Sequence, residues 1–366
     1  MGEHRGAVRQ SRLRETGIGF AMTVASVVLA LLAAEIGIRL FSAHVDLLEL
    51  RNYVDEPPLL EGRSRSMTPD PVLGYVPTPG YTGTDHGGVP LTFDQHGLRA
   101  HRLRQPPPLP AKPVLVVGDS FAMGMEVADD ETWPAHLEGL LNRPVLNGGV
   151  RGYGIDQMVL RAERLVPIHR PDELLVSVIA DDVDRAESRV MWGEQKPYFD
   201  IVNGELALRN IPIKPPKHLD DPLDPTRRIL GYSYLIKWTM DRLGLHAYWH
   251  RGLLPRSRVH NQGDRVACLL MDRLAMLGRA YDMNITIIAQ YSVNVWHLAT
   301  ARDYERDVIA KLLACAREAG LDTVDTYAAI DAAVQADGVS SYYLEQHLSG
   351  RGNRLTAEVI ARHLQQ

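Results

Sequence analysis

The chain has 366 residues, of which 45% are hydrophobic and 23% charged, and its formal net charge is −5. This length suits one large domain or two ordinary ones, and the composition is that of a mainly globular protein. The small negative charge gives no signal for nucleic-acid binding, so we expect no nucleic acid among its partners. Its two cysteines exclude a disulfide-stapled miniature fold.

An apolar run near the N-terminus is the first strong feature. Residues 17–40, GIGFAMTVASVVLALLAAEIGIRL, contain a single acid, Glu35, ahead of Arg39. About 20 mostly apolar residues suffice to span a bilayer core. Four arginines precede the run, and positive charge before a span favours a cytoplasmic N-terminus. We therefore predict a cytoplasmic tail over 1–16 and one transmembrane anchor over 17–41.

Two other interpretations of the run stay open. A cleaved signal peptide is disfavoured because the run is longer than a usual apolar signal region and no clean A-x-A site follows it. The third interpretation, that the run is a buried helix of a soluble domain, agrees least well with the four arginines that precede it. No second apolar run of this length occurs in the sequence, which predicts a single-pass protein.

Residues 42–110 are punctuated by turn-forming residues, in EPP, TPDP, PTPG and QPPPLP. We predict a linker and an N-terminal extension that packs on the main domain. Strand-like and helix-like patterns alternate over 111–366, and this alternation predicts an α/β domain with a mostly parallel central sheet covered on both faces. The predicted strands are 114–117, 145–147, 174–179, 285–289 and 323–324. The predicted helices are 132–141, 156–166, 265–281, 304–319 and 355–364.

Residues from about 184 to 263 interrupt the alternation and are predicted to be an insertion. Within it, YFDIVNGELALRN indicates a hairpin that turns at Asn203 and Gly204. A proline-rich loop and an amphipathic stretch, 228–243, follow. The insertion is a plausible place for substrate selection or partner docking.

The two cysteines, Cys268 and Cys315, both lie in predicted helices. We expect buried free thiols, while one disulfide stays open if the domain lies in an oxidising compartment.

The stretch VLVVGDSFAMGMEV ends an apolar strand with Gly118, Asp119 and Ser120. Ligands of open α/β sheets bind at the carboxyl edge, where this serine would lie. The competing interpretation is that Ser120 merely caps the next helix. A nucleophilic serine also needs a base. His347 is the candidate because it precedes a glycine-containing turn and follows the acid Glu345 by two residues, although such a pair also fits a solvated loop.

Two further segments could stabilise an oxyanion. The glycine-rich segment 147–157 follows a strand and could expose backbone amides, or it could be an ordinary strand-to-helix turn. Asp181 and Asp182 end the third strand, where acids also suit a helix N-terminus.

In order and content these segments resemble the SGNH hydrolase superfamily, also called GDSL esterases and lipases, from Pro113 to the C-terminus except for the insertion. The stretch DPVLGYVPTPG…FDQHGLRA resembles the lead-in of membrane-anchored bacterial members. The resemblance implies a flavodoxin-like three-layer α/β/α sandwich. It also implies a triad of Ser120 as nucleophile, His347 as base and Glu345 in place of the usual aspartate.

The resemblance further implies an oxyanion hole from the Ser120 amide, the Gly152 amide and residue 181, with Gly149 as an alternative register. One block departs from the family, since Asp181 stands where asparagine is usual. An ionised aspartate accepts hydrogen bonds and cannot donate one to an oxyanion.

The sequence thus predicts an extracytoplasmic serine esterase or O-acyltransferase of the inner membrane. Its substrate would be an acyl ester, including esters on cell-envelope polysaccharide, and the domain would be periplasmic. We expect no cofactor and, because no close-spaced ligand cluster is present, no metal. The alternative is a catalytically weak or inactive SGNH-fold protein that binds glycan or scaffolds an envelope assembly.

Overall fold

A computed structural model describes most of the chain. The described residues are 2–41, 66–85, 88–101, 112–191, 194–213, 225–243, 245 and 256–366. Much of the predicted linker, at 42–65 and 102–111, and the proline-rich loop of the insertion, at 214–224, lie outside these ranges.

The chain divides into two compact units. The smaller unit comprises Met1–Glu56 and Lys217–Leu253, and the larger comprises Pro57–Pro216 and Leu254–Gln366. The α-helices of the described residues are α1 (Gly2–Phe41), α2 (Ser120–Met123), α3 (Trp133–Leu141), α4 (Ile155–His169), α5 (Ala180–Arg185), α6 (Pro225–Leu230), α7 (Tyr234–Arg242), α8 (Gly263–Tyr281), α9 (Asn294–His297), α10 (Ala299–Glu318), α11 (Tyr327–Asp337) and α12 (Gly350–Leu364). The strands are β1 (Met67–Asp70), β2 (Gly74–Pro77), β3 (Thr82–Thr84), β4 (Pro90–Thr92), β5 (Val114–Gly118), β6 (Val145–Asn147), β7 (Glu173–Val178), β8 (Ser188–Met191), β9 (Glu194–Gln195), β10 (Tyr198–Val202), β11 (Glu205–Arg209), β12 (Arg256–Arg258), β13 (Asn284–Ala289) and β14 (Asp322–Asp325).

A five-stranded parallel sheet forms the centre of the larger unit, in the order β14-β13-β7-β5-β6. Numbered along the chain from β5, this is the flavodoxin-like order 2-1-3-4-5. The strand order reverses between β5 and β7, so the crevice at their carboxyl ends is the switch point where doubly wound folds bind ligands. The predicted fold class is confirmed.

Residues of β5 alternate between two cores, which explains why the strand is apolar throughout. Val114 and Val116 pack in a core with Trp133 of α3 and with α12, whereas Leu115 and Val117 pack in a core that includes α4 and α8. Because both faces of the sheet are covered by helices, the unit has three layers, α/β/α.

The N-terminal extension forms two small antiparallel pairs, β1 with β2 and β3 with β4. Tyr75 and Phe93 are buried in the main core. The Tyr75 hydroxyl donates to the Arg151 carbonyl at 2.8 Å, and the Arg99 amide donates to the Asn147 carbonyl at 2.8 Å. The extension is therefore hydrogen-bonded both to the end of β6 and to the segment that follows it.

The insertion contains a three-stranded sheet, β12-β8-β9, and the predicted hairpin of β10 and β11. Asn203 and Gly204 have φ values of 53° and 88° at its turn. Positive φ at both central residues is what a two-residue type I′ turn requires, and Asn-Gly is its favoured pair.

The expectation of free thiols is wrong. Cys268 of α8 and Cys315 of α10 form a disulfide, with Cα atoms 5.2 Å apart. The two helices pack side by side on one face of the sheet, which brings cysteines 47 residues apart in sequence within bonding distance.

In the smaller unit, α1 is long and continuous. Among the described residues it is the one helix long and apolar enough to cross a membrane, over Ala21–Leu40 with a mean hydropathy of 2.1. A signal sequence near the N-terminus can meet the same criteria of length and hydropathy, so these properties alone establish an apolar N-terminal helix and no more.

Candidate active site

Ser120 is the first residue of α2, directly beyond the carboxyl end of β5. The Asp119 side chain caps this helix by accepting a hydrogen bond from the Phe121 amide at 2.9 Å. Gly118 makes the tight turn possible, because a Cβ there would lie 2.6 Å from the Ala122 Cβ and 2.8 Å from the Ser177 carbonyl oxygen. The cap and the nucleophile candidate are thus successive residues of one turn.

His347 approaches Ser120 from the loop that precedes α12. Its Nε2 lies 2.9 Å from Ser120 Oγ. A bridge between Tyr343 and Leu348 closes the loop, and the Ser349 hydroxyl caps α12 by accepting from the Gly352 amide at 3.2 Å. The structure brings together the two residues that the sequence paired across 227 positions.

Glu126 completes the constellation, since its Oε1 lies 2.8 Å from His347 Nδ1. It follows Gly124, the left-handed C-cap of α2, and has a φ of 69° itself. The left-handed region is uncommon for a residue with a side chain, and such strain is typical of functional sites. The Glu126 amide is held by Asp85 Oδ2 at 3.0 Å. The hydrogen bond with His347 lowers the pKa of Glu126 below its ordinary value.

The assignment of Glu345 as the orienting acid needs correction. Glu345 lies in the wall of the cleft, but the carboxylate in contact with His347 Nδ1 belongs to Glu126. Nδ1 carries at most one hydrogen and Glu126 takes this position, which leaves Glu345 no place in the triad geometry. No sequence pattern points to Glu126, because the acid lies on the nucleophile's own loop, 221 residues before the histidine.

Ser120 and His347 open into a cleft of about 470 Å³. Its other lining residues are Phe121, Ile179, Asp181, Asp184, Arg185, Ser292, Val293, Asn294, Ala301, Tyr304, Glu305, Glu345 and Gln346. Four of these side chains are acids and one is an arginine, so the cleft disfavours anionic ligands.

A buried ionic cluster supports the floor of the site around Arg185. Its Nη1 lies 2.6 Å from Asp182 Oδ1 and 3.5 Å from Asp119 Oδ2. Burial raises the pKa of Asp119, and burial together with Asp119 raises that of Asp182. Asp119 Oδ2 is also 3.4 Å from Ser120 Oγ. The arginine therefore holds two buried carboxylates directly behind the serine.

Asp181 reaches the cleft, as expected, but it is ion-paired. Its carboxylate lies 2.8 Å from Arg185 Nε and 3.2 Å from Arg256 Nη1. The i,i+4 spacing from Asp181 to Arg185 on α5 is a signal for this pair that the sequence already contained. Because two cations flank the carboxylate, its repulsion of a developing oxyanion is partly offset.

The glycines after β6 differ in what their amides do. The Gly149 amide donates to Asn147 Oδ1 at 3.0 Å, so this register is not available to a substrate. Gly152 has a φ of 74°, and no acceptor within the described part of the chain takes its amide. Gly152 is absent from the residues that line the cleft.

Metal-ligating side chains do not cluster in the part of the chain that the structure describes. No group of three or more His, Cys, Asp or Glu residues there could hold a metal ion. The carboxylates nearest the serine are occupied by Arg185 instead.

Comparisons with known proteins give structural likeness only. No protein-family model matches the sequence, and no curated protein matches it. Similar solved structures include an α/β hydrolase enzyme from the metagenome of Lake Arreo and an acetylxylan esterase from Geobacillus stearothermophilus. Each is 14% identical over 69% of this chain and 94% of the other, with TM-scores of 0.42 and 0.41 respectively. A proposal for the function therefore depends on the geometry of the site.

Proposed function

We propose that the chain is a serine hydrolase of carboxylic esters and a member of the SGNH superfamily. One observation carries the proposal, the continuous contact from Ser120 Oγ through the His347 ring to Glu126, with distances of 2.9 and 2.8 Å. A nucleophile, a base and an orienting acid in this order are the requirements for acyl transfer by serine. The site lies at the switch point of the sheet, where this fold class binds ligands.

The reaction starts when Ser120 Oγ attacks the acyl carbonyl and His347 Nε2 takes its proton. Glu126 fixes the tautomer that leaves Nε2 unprotonated, and it stabilises the imidazolium that then forms. His347 returns the proton to the departing alcohol, and the acyl group stays on Ser120. Water then attacks the acyl-enzyme while His347 takes its proton, and His347 returns that proton to Ser120 Oγ as the acid leaves. A sugar hydroxyl in place of water would make the same chemistry an O-acyltransferase.

The oxyanion is stabilised by backbone amides at the start of α2. The Ser120 amide lies in the first helical turn, where amides have no partner within the helix. The Gly149 amide is taken by Asn147, so the family pattern leaves the Gly152 amide as the second donor candidate, and no acceptor within the described residues takes it, but Gly152 is not among the residues that line the cleft. Arg185 contributes positive charge beside the serine and offsets Asp181. Because Arg185 and Arg256 pair with Asp181, the aspartate at this position is a weaker argument for an inactive protein.

The cleft suits an uncharged ester. Asp184, Glu305 and Glu345 line the cleft, and acids outnumber basic residues there. An acyl ester of a neutral sugar would therefore enter more readily than an ester that carries a negative charge. The family pattern implies acyl esters of cell-envelope polysaccharide as the substrate class. We infer that neutral O-acylated glycans are the substrates.

We further infer that α1 anchors the enzyme in the inner membrane, with the larger unit in the periplasm. The apolar stretch Ala21–Leu40 has the length of a span, and the basic residues before it favour a cytoplasmic N-terminus. The disulfide of Cys268 and Cys315 supports this location, since disulfides persist in oxidising compartments and are rare in the cytosol.

Labelling with a fluorophosphonate tests the proposal, because this probe reacts with serines that a neighbouring base activates. Mass spectrometry of the labelled full-length protein should find the adduct on Ser120. Ser292→Ala is a matched control, since Ser292 also lines the cleft but contacts Glu305 instead of a histidine. The control should label like the wild type. Absence of an adduct on Ser120 in folded protein would overturn the proposal.

A further inference from the structure

Within the smaller unit, α7 begins against the C-terminal part of α1. The Glu35 carboxylate accepts hydrogen bonds from the Ser233 hydroxyl at 2.7 Å and from the Tyr234 and Leu235 amides at 2.8 Å each. A helix N-terminus has free amides and a partial positive charge, and a carboxylate satisfies both. The single acid of the apolar run thus caps a helix of the insertion.

Arg39, the one base within Ala21–Leu40, joins the same contact. Its Nε lies 2.6 Å from Glu35 Oε1, and its Nη2 donates to the Tyr232 carbonyl at 3.0 Å. Charged groups within a span are costly unless they are paired. Glu35 and Arg39 pair with each other, and both also bond to residues 232–235. These hydrogen bonds join the apolar helix α1 to the start of α7.

Several apolar side chains of residues 225–243 are exposed to solvent. Ile229 and Leu243 are 71% and 66% exposed, and Trp238 is 40% exposed. Gly231 is the single buried residue among those in the segment whose exposure is described. An apolar groove of about 710 Å³ also lies between α1 and the segment. Several exposed apolar side chains within one short segment are typical of a contact with a membrane or another partner.

The charges of the segment are mainly positive. Arg227, Arg228, Lys237 and Arg242 stand against a single acid, Asp241. The Arg242 guanidinium lies 5.1 Å from the centroid of the Trp238 ring, and Lys237 pairs with the ring of Tyr234. Aromatic residues with basic neighbours are typical of helices that lie in the headgroup region of a bilayer, where anionic lipids attract them.

The depth of the contact agrees with such a position. Glu35 precedes Leu40, the end of the apolar stretch, by five residues. At a rise of 1.5 Å per residue, Glu35 lies about 7.5 Å below that end. Interfacial helices bury their apolar face by roughly 5–10 Å. Since Glu35 caps α7, the N-terminus of α7 lies at a depth that is typical of interfacial helices.

We propose that residues 225–243 lie in the outer interface of the bilayer that α1 spans, with apolar side chains among the acyl chains and basic ones at anionic headgroups. The proposal rests on the inferred anchoring of α1 and adds a second membrane contact supplied by the insertion. The occupant of the exposed surface is therefore phospholipid. Glu35 is the positioning residue that fixes the segment to the span.

Spin labels on single cysteines of the full-length chain test this directly, in vesicles of phosphatidylcholine with a minority of phosphatidylglycerol. The labelled variants are Val28→Cys in the span, Leu243→Cys after α7 and Met276→Cys on α8. Leu243 and Met276 are matched, at 66% and 64% exposed. The native cysteines are disulfide-bonded and do not react without reductant. Accessibility to oxygen, which enters the bilayer, is compared with accessibility to a water-soluble nickel chelate.

We expect the label at 28 to be protected from nickel, the label at 276 to be open to it, and the label at 243 to be intermediate with raised oxygen accessibility. If the label at 243 is as open to nickel as the label at 276 while the label at 28 stays protected, the anchor stands and the interfacial position is overturned. If the label at 28 is also accessible to nickel, the proposed membrane anchor is itself contradicted.

A second pair of variants tests the role of Glu35. Glu35→Ala removes the cap of α7 and should increase the mobility of a label at 243, with the label at 28 unchanged. Ser26→Ala, which removes only a hydrogen bond to the Met22 carbonyl within α1, is the control and should leave both labels unchanged. An unchanged spectrum at 243 in Glu35→Ala would contradict the positioning role.

Discussion

At the residue scale, the acid that orients His347 is Glu126, whose Oε1 lies 2.8 Å from Nδ1. Glu345 stands two residues from His347 in sequence, yet Glu126 contacts the ring. Short sequence spacing does not place a side chain on a given ring nitrogen, because the loop conformation decides where it points. The positive φ of Glu126 turns the chain after α2 back toward the histidine, and no residue pattern in GMEV announces it.

The two glutamates make separable predictions. Glu126→Gln should lower kcat for a small acetyl ester by on the order of 10⁴-fold, because an amide that donates to Nδ1 favours the wrong tautomer. Glu345→Gln should change kcat by roughly threefold or less, since Glu345 only lines the cleft. Steady-state kinetics of both variants, with unfolding temperatures as a check on folding, decides between them. A large loss in Glu345→Gln with little in Glu126→Gln would restore the assignment made from sequence.

Asp181→Asn should increase the rate of ester hydrolysis near neutral pH. The change replaces an acceptor at the cleft by an amide donor of nearly the same shape, and one oxyanion donor is worth roughly a hundredfold to a thousandfold in rate. We expect a gain of several-fold, below that range, because Arg185 and Arg256 already offset the charge of Asp181.

Asp184→Asn is the control for Asp181→Asn. Asp184 also lines the cleft, but it accepts a hydrogen bond from the Tyr304 hydroxyl at 2.7 Å. Asp184→Asn also removes one negative charge from the cleft, but at a position that is not paired with Arg185 or Arg256. Equal rates in both variants would mean that only the charge of the cleft matters and that residue 181 is not at the oxyanion.

At the scale of elements, the sheet was predictable for a physical reason. Strands covered on both faces are mostly apolar, so the predicted strands 114–117 and 174–179 stand out from the amphipathic helices between them, and the structure has strands at 114–118 and 173–178. The hairpin at Asn203 and Gly204 was predictable from its turn residues. The short strands β8, β9 and β12 were not predicted, because two to four residues are too few to show a period.

The disulfide between α8 and α10 was misjudged because the distance between two helices is set by tertiary packing. It closes a loop of 47 residues, for which chain entropy gives about 4 kcal/mol of stabilisation. The double variant Cys268→Ser, Cys315→Ser should lose stability of this order in urea unfolding. Reductant should destabilise the wild type and leave the double variant unchanged. Two titratable thiols in unreduced wild-type protein would contradict the pairing.

At the scale of the whole molecule, we expect the apolar N-terminal helix to decide the compartment in which the site works. A C-terminal alkaline phosphatase fusion, which folds only in an oxidising compartment, should be active in cells. A C-terminal β-galactosidase fusion, which works only in the cytoplasm, should be inactive. The opposite pattern would place the larger unit in the cytoplasm and would leave the disulfide without an oxidising environment.

We propose that Ser120 performs acyl transfer with His347 as base and Glu126 as the orienting acid. The most direct measurement is kcat/KM of the full-length protein for a neutral acetyl ester, in the wild type and in Ser120→Ala at equal unfolding temperature. Loss of one triad member costs on the order of 10⁴-fold or more, and we predict a loss of this size. Hydrolysis by folded Ser120→Ala at the wild-type rate would contradict the account.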